Sequence, residues 1–175
     1  MEEVVAETYP SKLRIVQFPE PVLRRPARPV EVFDDALADL ARRMLALMHE
    51  AKGVGLAAPQ VGLSLRLFVC NPTGEPQDNF VMVNPVLSEW SGVEEKPEGC
   101  LSIPGVTVNM RRPTRVHLKA FSVRGEMFEM NGDDLPARIW QHETDHLDGK
   151  LIIDNMSEAD EIANRRALRQ LRGEK

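Results

Sequence analysis

Leu135-Pro136-Ala137-Arg138-Ile139-Trp140-Gln141-His142-Glu143-Thr144-Asp145-His146-Leu147 is the stretch on which the reading of this chain turns. Its apolar positions recur at helical spacing, Pro136 falls in a first turn where its missing N–H is not needed, and Asp133 or Asp134 is available as a cap. On a helix, residues four apart are neighbours with Cβ atoms about 5–6 Å apart, so His142 and His146 can reach one metal ion with Glu143 beside them. Ile139, Trp140 and Leu147 set apolar neighbours around these groups, which predicts a helix at least half buried. A solvated surface helix can carry the same five-residue pattern, so the metal reading needs a third donor from elsewhere.

Upstream, runs over 65–71, 80–89, 106–110, 115–123 and 126–130 are rich in strand-forming residues, with Asn71-Pro72, Arg124-Gly125 and Asn131-Gly132 as turns. They predict mostly antiparallel sheet. Residues 13–18 predict a further strand, followed by an arm that Pro19, Pro21, Pro26 and Pro29 keep irregular. A helix is expected from Asp34 or Asp35 to Lys52-Gly53, because Leu37, Leu40, Ala41, Met44, Leu45, Leu47, Met48 and Ala51 fall at helical spacing. Downstream, Ser157 with acidic residues behind it, and Arg165, Arg166, Arg169 and Arg172 further on, predict a C-terminal helix over 157–172. The fold class is α+β: one domain over 1–175, with antiparallel strands packed around a central helix that carries the His-Glu-x-x-His pattern.

At 175 residues the chain is long enough for one sizeable core, and neither a repeat nor a linker divides it. The net charge of −5 excludes a generally basic surface and argues against DNA as a partner. No apolar run approaches the roughly 20 residues that span a bilayer. The start, Met1-Glu2-Glu3, is acidic where a secretory signal is basic, so the expected location is the cytoplasm, with no membrane contact. In that reducing compartment Cys70 and Cys100 are expected as thiols rather than a bridge.

Cys100, in Glu98-Gly99-Cys100-Leu101-Ser102, is the best third donor, since a thiolate is a strong soft ligand and Gly99 lets the backbone approach closely. Taken alone, a cysteine is more often a small buried hydrophobe, and Cys70 within its apolar run fits that description better. The segment Gly53-Val54-Gly55-Leu56-Ala57-Ala58-Pro59-Gln60-Val61-Gly62 lacks the Lys-Ser/Thr ending of a phosphate loop. Its small residues let a substrate backbone lie close, and Gln60 either donates to a developing oxyanion or satisfies the local backbone.

Together, the segments 53–60, 98–102 and 141–149 resemble the three signature motifs of the peptide deformylase family in order and approximate spacing, and the opening 15–24 is similar to that family's start. The resemblance covers nearly the whole chain. It implies removal of the formyl group, as formate, from the N-terminal formylmethionine of newly made polypeptides. It assigns Cys100, His142 and His146 as ligands of one Fe(II), Glu143 as general base, and the Gln60 side chain and Leu101 N–H as oxyanion donors. Val54, Gly55, Leu101, Ile139 and His142 are the expected substrate-binding residues. Thiolate and imidazole also suit Zn(II), Ni(II) or Co(II), and it is the resemblance that favours iron. The partners it implies are N-formylmethionyl nascent chains, with the basic end of the C-terminal helix as a candidate contact with the ribosome.

Ligand histidines need an outer partner to fix their tautomer, and Asp145, Glu98 and carbonyls near the helix end are the candidates. Arg112 is placed to pair with Glu98. Thr107 stands where many bacterial relatives carry Arg, which leaves open how the peptide beyond methionine is held. Two other functions fit the helix pattern: a metallopeptidase, which would call for a Glu, Asp or His third ligand, and an inactive module with a structural metal, which would have a closed fourth coordination position or lack the base.

Overall fold

Asp34 opens the first helix, α1 (Asp35–Glu50), its Oδ1 accepting from the Leu37 N–H at 2.9 Å. The computed structural model describes residues 8–175, so the acidic start at 1–3 lies outside the described residues. α1 turns Leu37, Leu40, Ala41, Met44 and Met48 inward, each such Leu or Met contributing about 1.5–3 kcal/mol of burial. It ends where Lys52 takes a left-handed φ of 57° and the Gly53 N–H returns to the Met48 carbonyl at 2.9 Å.

The chain then builds β1 (Gly55–Ala57), β2 (Leu67–Cys70) and β3 (Phe80–Ser91), followed by a hairpin of β4 (Glu94–Glu98) and β5 (Val108–Arg112), and then β6 (Arg115–Phe121) and β7 (Met127–Asp133). The five-stranded sheet has the order β1-β2-β3-β6-β7, β4 and β5 form a separate pair, and every pairing between these strands is antiparallel. After β7 come α2 (Leu135–Leu147), which carries the His-Glu-x-x-His pattern, and α3 (Glu158–Leu171). The expected α+β architecture is present.

β2 explains why two helices converge here. All four of its residues are buried, and their alternation sends Leu67 and Val69 into the core under α1, while Phe68 and Cys70 enter the core shared with Ala137, Ile139, Trp140 and Leu147 of α2. A third apolar cluster joins Phe18, Leu23, Ile103, Val106 and Val108 to Ile152, Ile153 and Leu168. α3 closes one edge of the small sheet with side chains in place of a strand. Asn164 accepts from the Thr107 N–H at 3.3 Å and donates to the Thr107 carbonyl at 2.8 Å, and Asp160 accepts from the Asn109 N–H at 3.0 Å.

Four expectations need correction. Residues 13–18 form no strand; their backbone is tied instead by the Val16 N–H to the Gln60 carbonyl and the Phe18 N–H to the Ser102 carbonyl, both at 2.8 Å, so they strap two of the motif segments together. β4 was not anticipated, because an edge strand of sequence Glu-Glu-Lys-Pro-Glu has little apolar alternation, and Pro97 is tolerated at an edge. Asn131-Gly132 is not a turn but lies inside β7. A Cβ on Gly132 would stand 2.5 Å from the Trp140 ring, so the glycine makes room for the indole. The run expected at 106–110 pairs as Val108–Arg112. No helix among the described residues is long and apolar enough to cross a membrane.

Candidate active site

α2 is anchored at both ends. Its entry residue Asp134 donates its N–H to the Thr114 carbonyl at 2.8 Å. At the exit, Arg66 Nη1 donates to the Leu147 carbonyl at 3.1 Å and to Asp148 Oδ1 at 3.0 Å, supplying a cation at the negative end of the helix. Gly149, at φ 73°, must be glycine for a second reason: a Cβ there would stand 2.6 Å from the Arg24 carbonyl oxygen. Held this way, the rings of His142 and His146 lie 5.1 Å apart, centroid to centroid.

Cys100, on the loop after β4, faces both rings. Its Sγ is 3.4 Å from His146 Nε2, and one ligand atom from each of Cys100, His142 and His146 lies within 4.8 Å of the others. A thiol and two imidazoles converging in a largely buried place suit a divalent ion of borderline or soft character. His142 uses Nδ1 on Glu98 Oε1 at 3.0 Å, which leaves Nε2 for a ligand. His146 has a buried Nδ1 without a partner among the described residues. Burial holds the His146 pKa well below the ordinary histidine value, helped by the positive His142 and Arg112, so its lone pair is available at neutral pH. At His142 burial works the same way but is outweighed by Cys100 and Glu98, and the pKa lies well above the ordinary value.

Glu98 is the hub behind His142. Arg112 grips it through Nε at 2.6 Å and Nη2 at 2.9 Å, Arg138 reaches Oε2 at 2.6 Å, and Arg112 Nη1 continues to Asp145 Oδ2 at 2.9 Å. Burial alone would raise the Glu98 carboxyl, but the hydrogen bonds from His142 and Arg112 prevail and bring it down to about 2. The pairing of Arg112 with Glu98 was legible in the sequence, whereas Asp145 turns out to partner Arg112 rather than a histidine. Arg138 was missed; it also donates to the carbonyls of Met110 at 3.1 Å and Glu94 at 2.9 Å, and so ties the β4–β5 hairpin to α2.

Glu143 is 4% exposed, and its Oε2 has no hydrogen-bond partner among the described residues. Burial pushes its carboxyl up to about 7, against the pull of His142 and Arg112. Gly55 makes room for it, since a Cβ there would stand 2.6 Å from Glu143 Oε1. Gln60 takes the local role of its two expected ones, Oε1 accepting from the Ala57 N–H at 2.9 Å, while Nε2 points into the site, donating to Ser102 Oγ at 3.2 Å and toward Cys100 Sγ at 3.6 Å. Cys70 is buried, and desolvation pushes its thiol up to about 12, in keeping with an inert core position.

These groups meet at a cleft of about 490 Å³. Val54, Leu101, Ile139, His142 and Glu143 line it; Gly55 does not, its place being beneath Glu143. Its walls also include Leu135, Pro97, Val106 and Lys52, none of which the sequence marked as substrate-binding.

A buried carboxyl with a raised pKa beside a Cys-His-His donor set, opening on an apolar cleft, defines a metallohydrolase type of centre. The polypeptide deformylase family model matches residues 12–161. Peptide deformylase from Acidobacterium capsulatum is 43% identical over 145 residues, covering 82% of this chain and 85% of the relative. The chloroplastic/mitochondrial peptide deformylase 1B of Arabidopsis thaliana is 41% identical over 86% of this chain, which spans only 56% of that longer protein. A crystal structure of a peptide deformylase from Legionella pneumophila superposes with a TM-score of 0.87 at 41% identity, covering 92% of this chain and 95% of the other. The chain belongs to the peptide deformylase family, whose members are metal-dependent hydrolases that remove formyl groups.

Proposed function

We propose that this chain, acting as one catalytic domain, hydrolyses the formamide bond of N-formylmethionyl polypeptides as they are made in the cytoplasm, releasing formate. The observation that carries this reading is Glu143 Oε2, without a hydrogen-bond partner among the described residues, beside the convergent Cys100, His142 and His146. Those three residues hold one ion, for which Fe(II) is the proposed metal and Zn(II), Ni(II) and Co(II) are substitutes. When bound, the ion supplies Lewis acidity that polarises the formyl group and acidifies water.

The remaining steps belong to the protein. Glu143 Oε2 takes the proton of the attacking water and passes it to the leaving amine nitrogen, a task suited to a carboxyl whose pKa is about 7. Gln60 Nε2 and the Leu101 N–H donate to the oxyanion, where losing one such donor typically costs about 2.7–4 kcal/mol of barrier. Glu98 holds the His142 tautomer. Val54, Leu101 and Ile139 give the cleft an apolar lining that suits a methionine side chain and excludes water. Anaerobically prepared, metal-analysed protein should release formate from formyl-Met-Ala and leave internal peptide bonds intact. Cleavage of an internal bond in place of deformylation would return the metallopeptidase reading.

The ribosome contact is proposed for the exposed Arg165, Arg166 and Arg169 of α3. Removing the helix would be a poor test, because its Asn164, Asp160 and Leu168 support the β4–β5 hairpin and the core. Changing the three arginines to Glu should lower ribosome co-sedimentation more at low salt than at high salt. Unchanged co-sedimentation would remove the proposal.

A further inference from the structure

The cleft has one charge that the chemistry above does not use. Arg138 is spent on Glu98 and two carbonyls, and His142 is engaged by Glu98. Lys52 is exposed, lines the same cleft, and among the described residues is the only cation there whose side chain has no hydrogen-bonded or ionic partner. Its backbone adds a second observation. Lys52 sits at the end of α1 with φ 57°, a left-handed conformation that glycine adopts freely and lysine does not. A strained residue with an unpaired charge on the wall of a binding cleft is a candidate for function.

From this we infer that Lys52 is a specificity-determining residue that reads a carboxylate on the segment following the formylmethionine, so that chains with an early Asp or Glu are preferred over chains with an early Lys or Arg. The inference rests on the deformylase reading and refines its substrate class. The net charge of −5 works against anionic substrates at long range, but salt screens that field beyond about 8–10 Å, whereas a contact at Lys52 survives. An aspartate side chain in a growing chain and the C-terminal carboxylate of a short peptide offer the same chemistry, and the test separates them.

Formate release gives kcat/KM for formyl-Met-Ala-Asp-amide, formyl-Met-Ala-Ala-amide, formyl-Met-Ala-Lys-amide and formyl-Met-Ala-Ala with a free carboxyl end. Wild type should favour the Asp peptide over the Lys peptide by about two- to fivefold, the range of an exposed ion pair. Lys52→Glu should invert the ratio, and added salt should shrink it. Lys52→Gly should bring the ratio close to unity while unfolding no earlier than wild type, because the left-handed strain is relieved. A Lys52-dependent gain in both carboxylate peptides assigns the site to the group wherever it is carried, and a gain in the Asp amide alone assigns it to the side chain. An identical Asp-to-Lys ratio in wild type, Lys52→Gly and Lys52→Glu, with the neutral amide still turned over, overturns the Lys52 inference alone. No formate from the neutral amide overturns the deformylase reading itself.

Discussion

α1 and α2 pack against opposite faces of β2, and each turns one face inward, yet the two faces bury different chemistry. The inward face of α1 is entirely apolar, from Leu37 to Met48. α2 shares its apolar residues with buried Gln141, Glu143 and His146, and behind them stand buried Glu98 and Arg112. Apolar burial contributes directly to stability, whereas a buried ion pair is close to neutral when intact and expensive when broken. α1 is therefore a structural helix, and α2 gives up part of that contribution to hold reactive groups in a fixed geometry.

The sharpest test of that contrast removes the reactive group and leaves the packing. Glu143→Gln should lower turnover by about 10²–10⁴-fold while the bound metal, measured by elemental analysis, is retained. Near-normal formate release from this variant would take the general-base role away from Glu143. Its fold should be no less stable, because a carboxyl whose pKa has been pushed up to about 7 by burial is replaced by a neutral isostere.

Next in size is a matched pair, one variant per helix face. Leu40→Ala beneath α1 should cost about 2–5 kcal/mol in denaturant unfolding and leave metal content unchanged. Arg112→Met should cost about 3–5 kcal/mol, because Glu98 and Asp145 lose a buried partner, and should also loosen the metal through the freed His142. Equal metal retention in both variants would show that the Glu98 network braces the fold alone.

A smaller change is Gly55→Ala. Its added methyl collides with the Glu143 carboxyl at 2.6 Å and should reduce kcat by tenfold or more with little change in unfolding, since small misplacements of a catalytic group can cost about 100-fold. Unaltered kcat would mean that the carboxyl has room to move without consequence.

The narrowest test is the pH dependence of stability in acid. The Glu98 carboxyl lies near 2 when folded against 4.5 for the free group, so its contribution to stability is fully present above pH 4.5 and is lost as pH falls toward 2. Glu98→Gln should flatten that part of the stability profile. An equally steep acid loss in the variant would assign it to other carboxyls.

Elements whose signal is local were legible in advance. The Asp34 cap and the apolar spacing of α1, the position of α2, and the Ser157 cap of α3 all stand where the sequence places them. So do Cys100, His142 and His146 as a convergent set, because the His spacing is built into the helix and the thiol chemistry singles out Cys100. β4 was invisible, because an edge strand half exposed to solvent does not need apolar alternation, and what holds it is its pairing with β5 and the bonds from Arg138.

What the sequence determined by itself, then, was the helix that presents two imidazoles and a carboxyl on adjoining positions, since a 3.6-residue repeat brings those positions together whatever the rest of the chain does. Only the tertiary structure decided that Glu98 rather than Asp145 orients His142, that Gly132 accommodates Trp140 and that Gly55 accommodates Glu143. It also decided that Lys52 faces the cleft without a partner among the described residues. Each of these depends on how one element packs against another, and all but the Gly132–Trp140 contact join segments far apart in the chain, which no local pattern encodes.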